Sequence, residues 1–423
     1  MTAEDTVFDD SKARRNAVIL ASAQALYGAT LTAVVVTSGL VGAQLAPSPS
    51  WATLPMSLTI VGTALTTFPI SLLMRRVGRR AGFVACALLG AAGALIGMVA
   101  IFQRSFGLFL AGCLLVGIYQ ASASYYRFAA ADTASPAFRP KAISWVMTGG
   151  IVAALIGTLI VMYTVDLLAP VTFAGTWAAM ALLAVIGAVL LLAVDIPLTE
   201  KHDAPSGRPL GVIARQPRYI VAALTAMLAY GIMMLVMTAT PVAMLGCGFS
   251  VKDSSWVIQW HALAMFVPSF FTGSLINRFG AEKISALGML LLVGAAVSGL
   301  MGIHFENFAA GLILLGLGWN FGFIGGTALL TDTYEPEERN KAQGLNDFLV
   351  FATTALTSLS AGKLLAWFGW SGVNYAVLPM VVLALVMIAW LARHPAPLPR
   401  HPGEGRGPAL GADKNAGSRP SPG

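Results

Sequence analysis

Charge is what this chain lacks. Only 11% of its 423 residues are Asp, Glu, Lys or Arg, where a soluble globular protein carries about 25%. A soluble body of this size could not cover its surface with so few. Apolar residues make up 57% and the mean hydropathy is +0.76, so many side chains must face lipid. Cysteine is scarce as well. Cys86, Cys113 and Cys247 form no CxxC and have no neighbouring His, which excludes a disulfide framework or a zinc site and leaves packing thiols. There is no GxxxxGK[ST], no HExxH and no nucleophile elbow of GxSxG form. Membrane carboxylates paired for acid–base work are also missing. These absences argue against an enzyme and against ATP-driven transport. No metal and no cofactor is implied. The start, Met1 to Asp10, is acidic and unlike a cleaved leader, so the first apolar segment is expected to stay as an anchor.

What is present is a series of long apolar runs. A bilayer core needs roughly 20 helical residues per crossing. The sequence predicts twelve spans, at about 17–43, 51–73, 81–102, 106–128, 142–163, 172–194, 219–243, 254–276, 284–303, 307–330, 342–362 and 374–392. They are too long and continuous for the alternating strands of a barrel. All but three of the 26 basic residues fall on one side, the exceptions being Arg104, Lys252 and Lys363. That bias puts both termini in the cytoplasm and accounts for the net charge of +7 without nucleic acid as a partner.

Organisation follows from the polar interruptions. Residues 1–16 form a cytoplasmic segment, 17–194 a first six-helix bundle and 195–218 a proline-broken cytoplasmic linker. A second six-helix bundle follows over 219–392, then a tail over 393–423 too rich in Pro and Gly to order itself. The halves repeat. Asp132-Thr133-Ala134-Ser135-Pro136-Ala137-Phe138-Arg139-Pro140-Lys141-Ala142 aligns with Asp332-Thr333-Tyr334-Glu335-Pro336-Glu337-Glu338-Arg339-Asn340-Lys341-Ala342, with six of eleven positions identical at an offset of 200. Arg76-Val77-Gly78 aligns with Arg278-Phe279-Gly280 at an offset of 202. Two bundles of like orientation, related by a pseudo-twofold axis along the membrane normal, are the expected fold: all-α and integral to the membrane.

On these residues the chain resembles the major facilitator superfamily over about 15–392. The loop signature of that family, Gly-x-x-x-Asp-Arg-x-Gly-x-(Arg/Lys)-(Arg/Lys), appears as Ser71, Arg75, Arg76, Gly78, Arg79 and Arg80. It recurs as Gly273, Asn277, Arg278, Gly280 and Lys283. The acid is absent from both copies. The span-four Arg-x-x-Gln-Gly motif appears as Gly117 to Ala121 without its arginine, and the span-five motif lacks its proline. The resemblance implies a secondary transporter working by alternating access in a bacterial inner membrane, as a monomer, with a small molecule as substrate and the bilayer as surroundings. Proton coupling is left open by the missing arginine. Tyr126 to Asp132, continuing through Ala142 to Val146, is similar to a proteobacterial branch of the family that includes riboflavin importers. That likeness implies a riboflavin-like or other planar amphipathic substrate. A sensor or scaffold on the same fold, and a uniporter, are the alternatives.

Polar residues in the spans mark the expected pathway, because a lipid-facing helix cannot keep them cheaply. Spans three, six, nine and twelve are nearly bare of them and read as outer helices. Candidates for pathway lining are Gln24, Tyr27, Tyr119, Gln120, Tyr126, Tyr230, Trp319 and Asn320: rings to stack on a planar solute and amides to bond its edge. Tyr119 and Tyr126 share one helical face, with Gln120, Ser124 and Arg127 in the adjoining stripe. Interhelical bonding is the competing use of such residues. His261 is the proton-responsive candidate, or else a neutral ring bonded to a neighbouring helix. Arg75 and Asp347 are expected to pair as a cytoplasmic gate when that side shuts. Arg76, Gly78, Asp132, Arg139, Arg278, Gly280, Asp332 and Arg339 are read as loop motifs that stiffen each half. In that reading Asp132 and Asp332 bond loop backbone or the nearby Arg139 and Arg339.

Overall fold

A computed structural model describes residues 10–135, 138–196, 207–335 and 338–394, without the side chains of Arg75, Pro140 and Asn340. Most of the expected tail, and the middle of the linker, lie outside the described residues. Ten helices are each long and apolar enough to cross a bilayer. The first half holds α1 (Ser11–Leu45), α2 (Leu54–Val77), α3 (Arg79–Phe102), α4 (Phe106–Ala123) with its continuation α5 (Tyr126–Asp132), α6 (Arg139–Thr164) and α7 (Ala174–Leu191). The short α8 (Leu210–Ala214) precedes α9 (Pro217–Gly246), α10 (Val251–Phe266), α11 (Ser269–Phe279), α12 (Ala281–Met301), α13 (Phe305–Thr331) and α14 (Arg339–Arg393).

Two features reconcile ten long helices with twelve crossings. Helix α14 is two spans joined at Gly369, whose φ of 67° and ψ of −169° leave the helical path. The eighth crossing is α10 followed by α11, each too short alone, joined through Val267 and Pro268. Helix starts follow local chemistry. Pro55 occupies the first turn of α2, where its missing N–H costs nothing. Ser250 and Asp253 form a reciprocal capping box at α10.

In the first half α1 packs on α6 and α7, α3 on α4 and α7, and α2 on α4. In the second, α9 packs on α13 and α14, α12 on α13 and α14, and α10 on α13. Without water between helices, close approach replaces hydrophobic drive. A Cβ on Gly117 of α4 would press into the Thr59 carbonyl oxygen of α2, so that crossing tolerates hydrogen only. The helices read as outer ones turn Leu88, Leu95, Leu182, Val189, Leu290 and Val386 outward, which suits contact with acyl chains.

The repeat is visible in the backbone. Gly78 (φ 89°, ψ 157°) and Gly280 (φ 91°, ψ 151°) adopt the same positive-φ conformation at matching turns, between α2 and α3 and between α11 and α12. A side chain would be strained there.

Candidate functional site

The basic end of the bundles carries the two repeated loops that begin at Asp132 and Asp332; the far end lies opposite. At the basic end each half is clasped by its own loop. Asn16 Nδ2 donates to Thr133 Oγ1 (3.3 Å) and to Asp195 O (2.8 Å), and its Oδ1 accepts from Asp195 N. The repeat mate of Asn16 at offset 200, Gln216, donates through Nε2 to Thr333 O at 3.0 Å. Lys12 pairs with Asp195 at 2.6 Å and holds that carboxyl below its usual range.

The acids of the repeated loops find partners other than the expected Arg139 and Arg339. Asp132 pairs with Arg79 at 2.5 Å, and Asp332 with Arg218 at 2.7 Å. Arg218 also meets Glu282 at 3.1 Å. Arg139 instead donates to Ala134 O, and Arg339 to Gln343. The physical reason is reach: Arg79 and Arg218 start the helices that flank these loops in space. Arg76 and Arg278 are exposed, the latter over the Phe279 ring at 5.2 Å. The buried Glu338 binds Arg208 by side chain and backbone (2.7–2.8 Å), and these bonds hold its carboxyl down to about 2.

Between the halves runs a seam, with α1, α2 and α6 facing α9, α14 and α10. Its side-chain contacts gather at the far end. Ser57 Oγ meets Ser358 Oγ at 2.9 Å. Gly39 sits against Val242, and Gly362 against Thr53 and Ser50. A groove of about 290 Å³ runs beside these contacts, lined by Pro49, Ala52, Thr53, Gly246, Gly362 and Trp370, with the exposed Cys247 among its walls. Nearer the basic end, seam helices present exposed Phe68, Met147, Phe270 and Phe348.

An aromatic core lies at mid-height. Tyr27 and Tyr119 meet edge to face at 5.3 Å. Tyr230 meets Trp319 and Phe323 edge-on at 5.5 and 5.3 Å, and those two stack at 5.2 Å. Tyr27 and Tyr230, one from each half, are within electrostatic reach of one another. Arg127 of α5 is in reach of Tyr230 and Asp347 of the other half. Its guanidinium makes no hydrogen bond or ion pair among the described residues and rests over the Phe128 ring at 4.7 Å.

The sequence expectations divide accordingly. Tyr119 and Tyr126 do share a face, but that face packs into the first bundle. Tyr119 lies against Gly90 of α3, and Tyr126 edge-on to Phe83 of α3 at 4.9 Å. Both are fully buried, which corrects their placement on a pathway wall. Gln24 is half-buried beside Gly149 of α6. Gln120 keeps its Oε1 buried without a partner. Asn320 is spent on α10 and α11, bonding Met265 O, Ser269 and Thr272. His261 Nδ1 lies 2.8 Å from Leu312 O, so it carries the proton and donates, while buried Nε2 has no partner. The Arg75 half of the expected gate lies outside the described side chains, and Asp347 is exposed with Arg127 as a cation in reach. Sequence reasoning set Arg127 in the polar stripe of span four but not among the pathway candidates. It is the one cation inside span four, which was the available signal.

Two repeated bundles meeting along such a seam are the build of an alternating-access carrier. The sequence profile of the Major Facilitator Superfamily matches residues 18–252 and 222–420, and the chain belongs to that family. It is 46% identical over 383 residues to the riboflavin transporter RfnT of Brucella anthropi, covering 89% of this chain and 96% of that protein. Its fold is similar to that of a point mutant of the nucleoside transporter NupG, with TM-score 0.70, 13% identity and 90% and 100% of the two chains covered. It is likewise similar to a bacterial homologue of the human lysosomal transporter Spinster in an inward-facing, unoccupied conformation, with TM-score 0.70, 13% identity and 91% and 98% covered. The chain is a multi-pass membrane transporter, not an enzyme.

Proposed function

We propose that this transporter carries riboflavin, or a flavin close to it, across the bacterial cytoplasmic membrane, with the basic end and both termini in the cytoplasm. The likeness to the Brucella anthropi transporter over nearly the whole of both chains carries the substrate. The basic bias of one end supports the orientation, and the gathered contacts at the far end support an inward-open state. The chemistry of the seam suits a flavin. Tyr27 and Tyr230 offer rings to its tricyclic plane. Arg127, without a hydrogen-bond or ion-pair partner among the described residues, is in reach of Tyr230. A guanidinium fork pairs well with two adjacent acceptors, and a flavin presents such a pair at the C4 carbonyl and N5.

The test is uptake of riboflavin into sealed proteoliposomes, with and without a pH gradient. Saturable uptake that excess unlabelled riboflavin competes away is expected; a protein that binds riboflavin without moving it would overturn the transport reading. Arg127→Gln is expected to weaken binding about tenfold, the worth of one charge-assisted hydrogen bond. 5-Deazariboflavin, which lacks the N5 acceptor, is expected to bind more weakly than riboflavin to the native protein but equally to the variant. Equal binding of both ligands to the native protein would remove Arg127 from the C4–N5 edge. Loss of uptake on collapsing the gradient would mark proton coupling, and an unchanged initial rate would mark a uniporter.

A further inference from the structure

The eighth crossing is held in a bent form by a side chain from another helix. Pro268 has no N–H, so the helical ladder must miss a bond there. Val267 (φ −59°, ψ −43°) and Pro268 (φ −64°, ψ −20°) stay near helical dihedrals, which makes the junction a proline kink and not a loop. The hydrogen bonds tighten past it: Phe270 N reaches Val267 O at 3.3 Å and Phe271 N reaches Pro268 O at 2.9 Å. Met265 O, whose ladder donor would be Ser269 N, accepts instead from Asn320 Nδ2 of α13 at 2.6 Å. The same Nδ2 donates to Ser269 Oγ at 2.7 Å, and Asn320 Oδ1 accepts from Thr272 Oγ1 at 2.6 Å. One fully buried amide therefore bridges both sides of the kink.

The two sides differ in what else they touch. Helix α10 packs across the seam on α6, whereas α11 packs on α12 and α13 of its own half. His261 Nδ1 and the close approach of Gly316 to His261 O fix α10 to α13 independently of Asn320. The kink thus directs α10 toward the other half and α11 away from it. Among the described residues of the first half no amide does this; Tyr125 Oη donates to Thr67 O of α2 at 3.0 Å. Helix α2 also contains a proline, Pro69, yet runs unbroken from Leu54 to Val77. Gln120, the repeat mate of Asn320 at offset 200, leaves its Oε1 buried and unsatisfied.

We infer that Asn320 is a positioning residue for transport: its amide holds α11 away from α6, and its bonds to Ser269 and Thr272 are released when the basic end of the seam closes, while the bond to Met265 O persists. The inference rests on the carrier fold and not on the identity of the substrate.

The experiment measures the distance between spin labels at Lys141→Cys, at the start of α6, and Asn277→Cys, on α11. Cys247→Ser removes the exposed native thiol, and Cys86 and Cys113 are buried. Full-length protein in nanodiscs is compared with the same protein carrying Thr272→Val or Asn320→Ala. Thr272→Val keeps shape and removes the one hydroxyl hydrogen, which is shared between Asn320 Oδ1 at 2.6 Å and Pro268 O of its own helix at 2.8 Å, so the closed, short-distance population is expected to rise about fivefold relative to the open one. Asn320→Ala is expected to raise it further. A thermal melting temperature for Thr272→Val within a degree or two of the parent separates positioning from damage to the fold. An unchanged distance distribution in Thr272→Val, or a shift to longer distances, overturns the inference. Should Asn320→Ala fail to fold, Thr272→Val alone decides it.

Discussion

Replacing Glu338 by Gln probes the clasp that ties the second half to its linker. Glu338 is 1% exposed. Its Oε1 accepts from Arg208 N at 2.7 Å and Arg208 Nε at 2.8 Å. Its Oε2 accepts from Arg208 Nη2 at 2.7 Å and Glu335 N at 3.1 Å. Gln keeps the shape but turns one acceptor oxygen into an NH2 group, which then faces donors. Two charge-assisted bonds of about 1.5–3 kcal/mol each are weakened. The Arg208 side chain is 38% exposed, so solvent recovers part of that loss. A net cost of about 2 kcal/mol follows, or roughly 2–4 °C in melting temperature for a chain of this length.

The pH dependence has a definite sign. Burial opposes ionisation of Glu338, but the stronger hydrogen bonding from Arg208 lowers its carboxyl from the ordinary 4.5 to about 2. A depressed folded-state value contributes stability that is complete above about pH 4.5 and is lost as pH falls toward 2. Melting curves in detergent at constant scan rate, from pH 7 down to the acid limit of the protein, test this. Wild type and Glu338→Gln are expected to differ most near neutrality and to converge in acid. Equal melting temperatures at pH 7, or a gap that widens in acid, would refute the reasoning.

Cysteines at Ser57 and Ser358, whose hydroxyl oxygens lie 2.9 Å apart, are expected to form a disulfide on mild oxidation. Transport should then stop and return with reductant, since the far end must part once per cycle; full transport by the oxidised pair would contradict alternating access. Gly78→Ala and Gly280→Ala each place a Cβ on a backbone near φ 90°. Each is expected to cost about 1–3 kcal/mol, read as a lower melting temperature in both variants.

The spans and the repeat were legible because each depends on local composition: length of apolar run, and identity at a constant offset. The matching φ of Gly78 and Gly280 is the three-dimensional form of a likeness already visible in Arg76-Val77-Gly78 and Arg278-Phe279-Gly280. Less was legible where a face had to be pointed. Periodicity groups Tyr119 with Tyr126 correctly, but hydroxyls suggest water whether they look into a cavity or into a bundle. The contacts with Gly90 and Phe83 decide it. Proximity in sequence suggests neighbouring arginines as partners for the loop acids, while Asp332 reaches Arg218 across 114 positions. Pro268 was in plain view, yet the use of Asn320 beside it depends on the register of α13 against α10, which no single run of residues encodes.

Cys247 sets up an uncommon convenience. Two of the three thiols are sealed within the helices, and the third opens onto a crevice walled by both bundles. A maleimide dye added to the unmodified polypeptide would therefore settle at one address, beside the far-end door. Its brightness would track the swing of that door in real time, with no engineered tag.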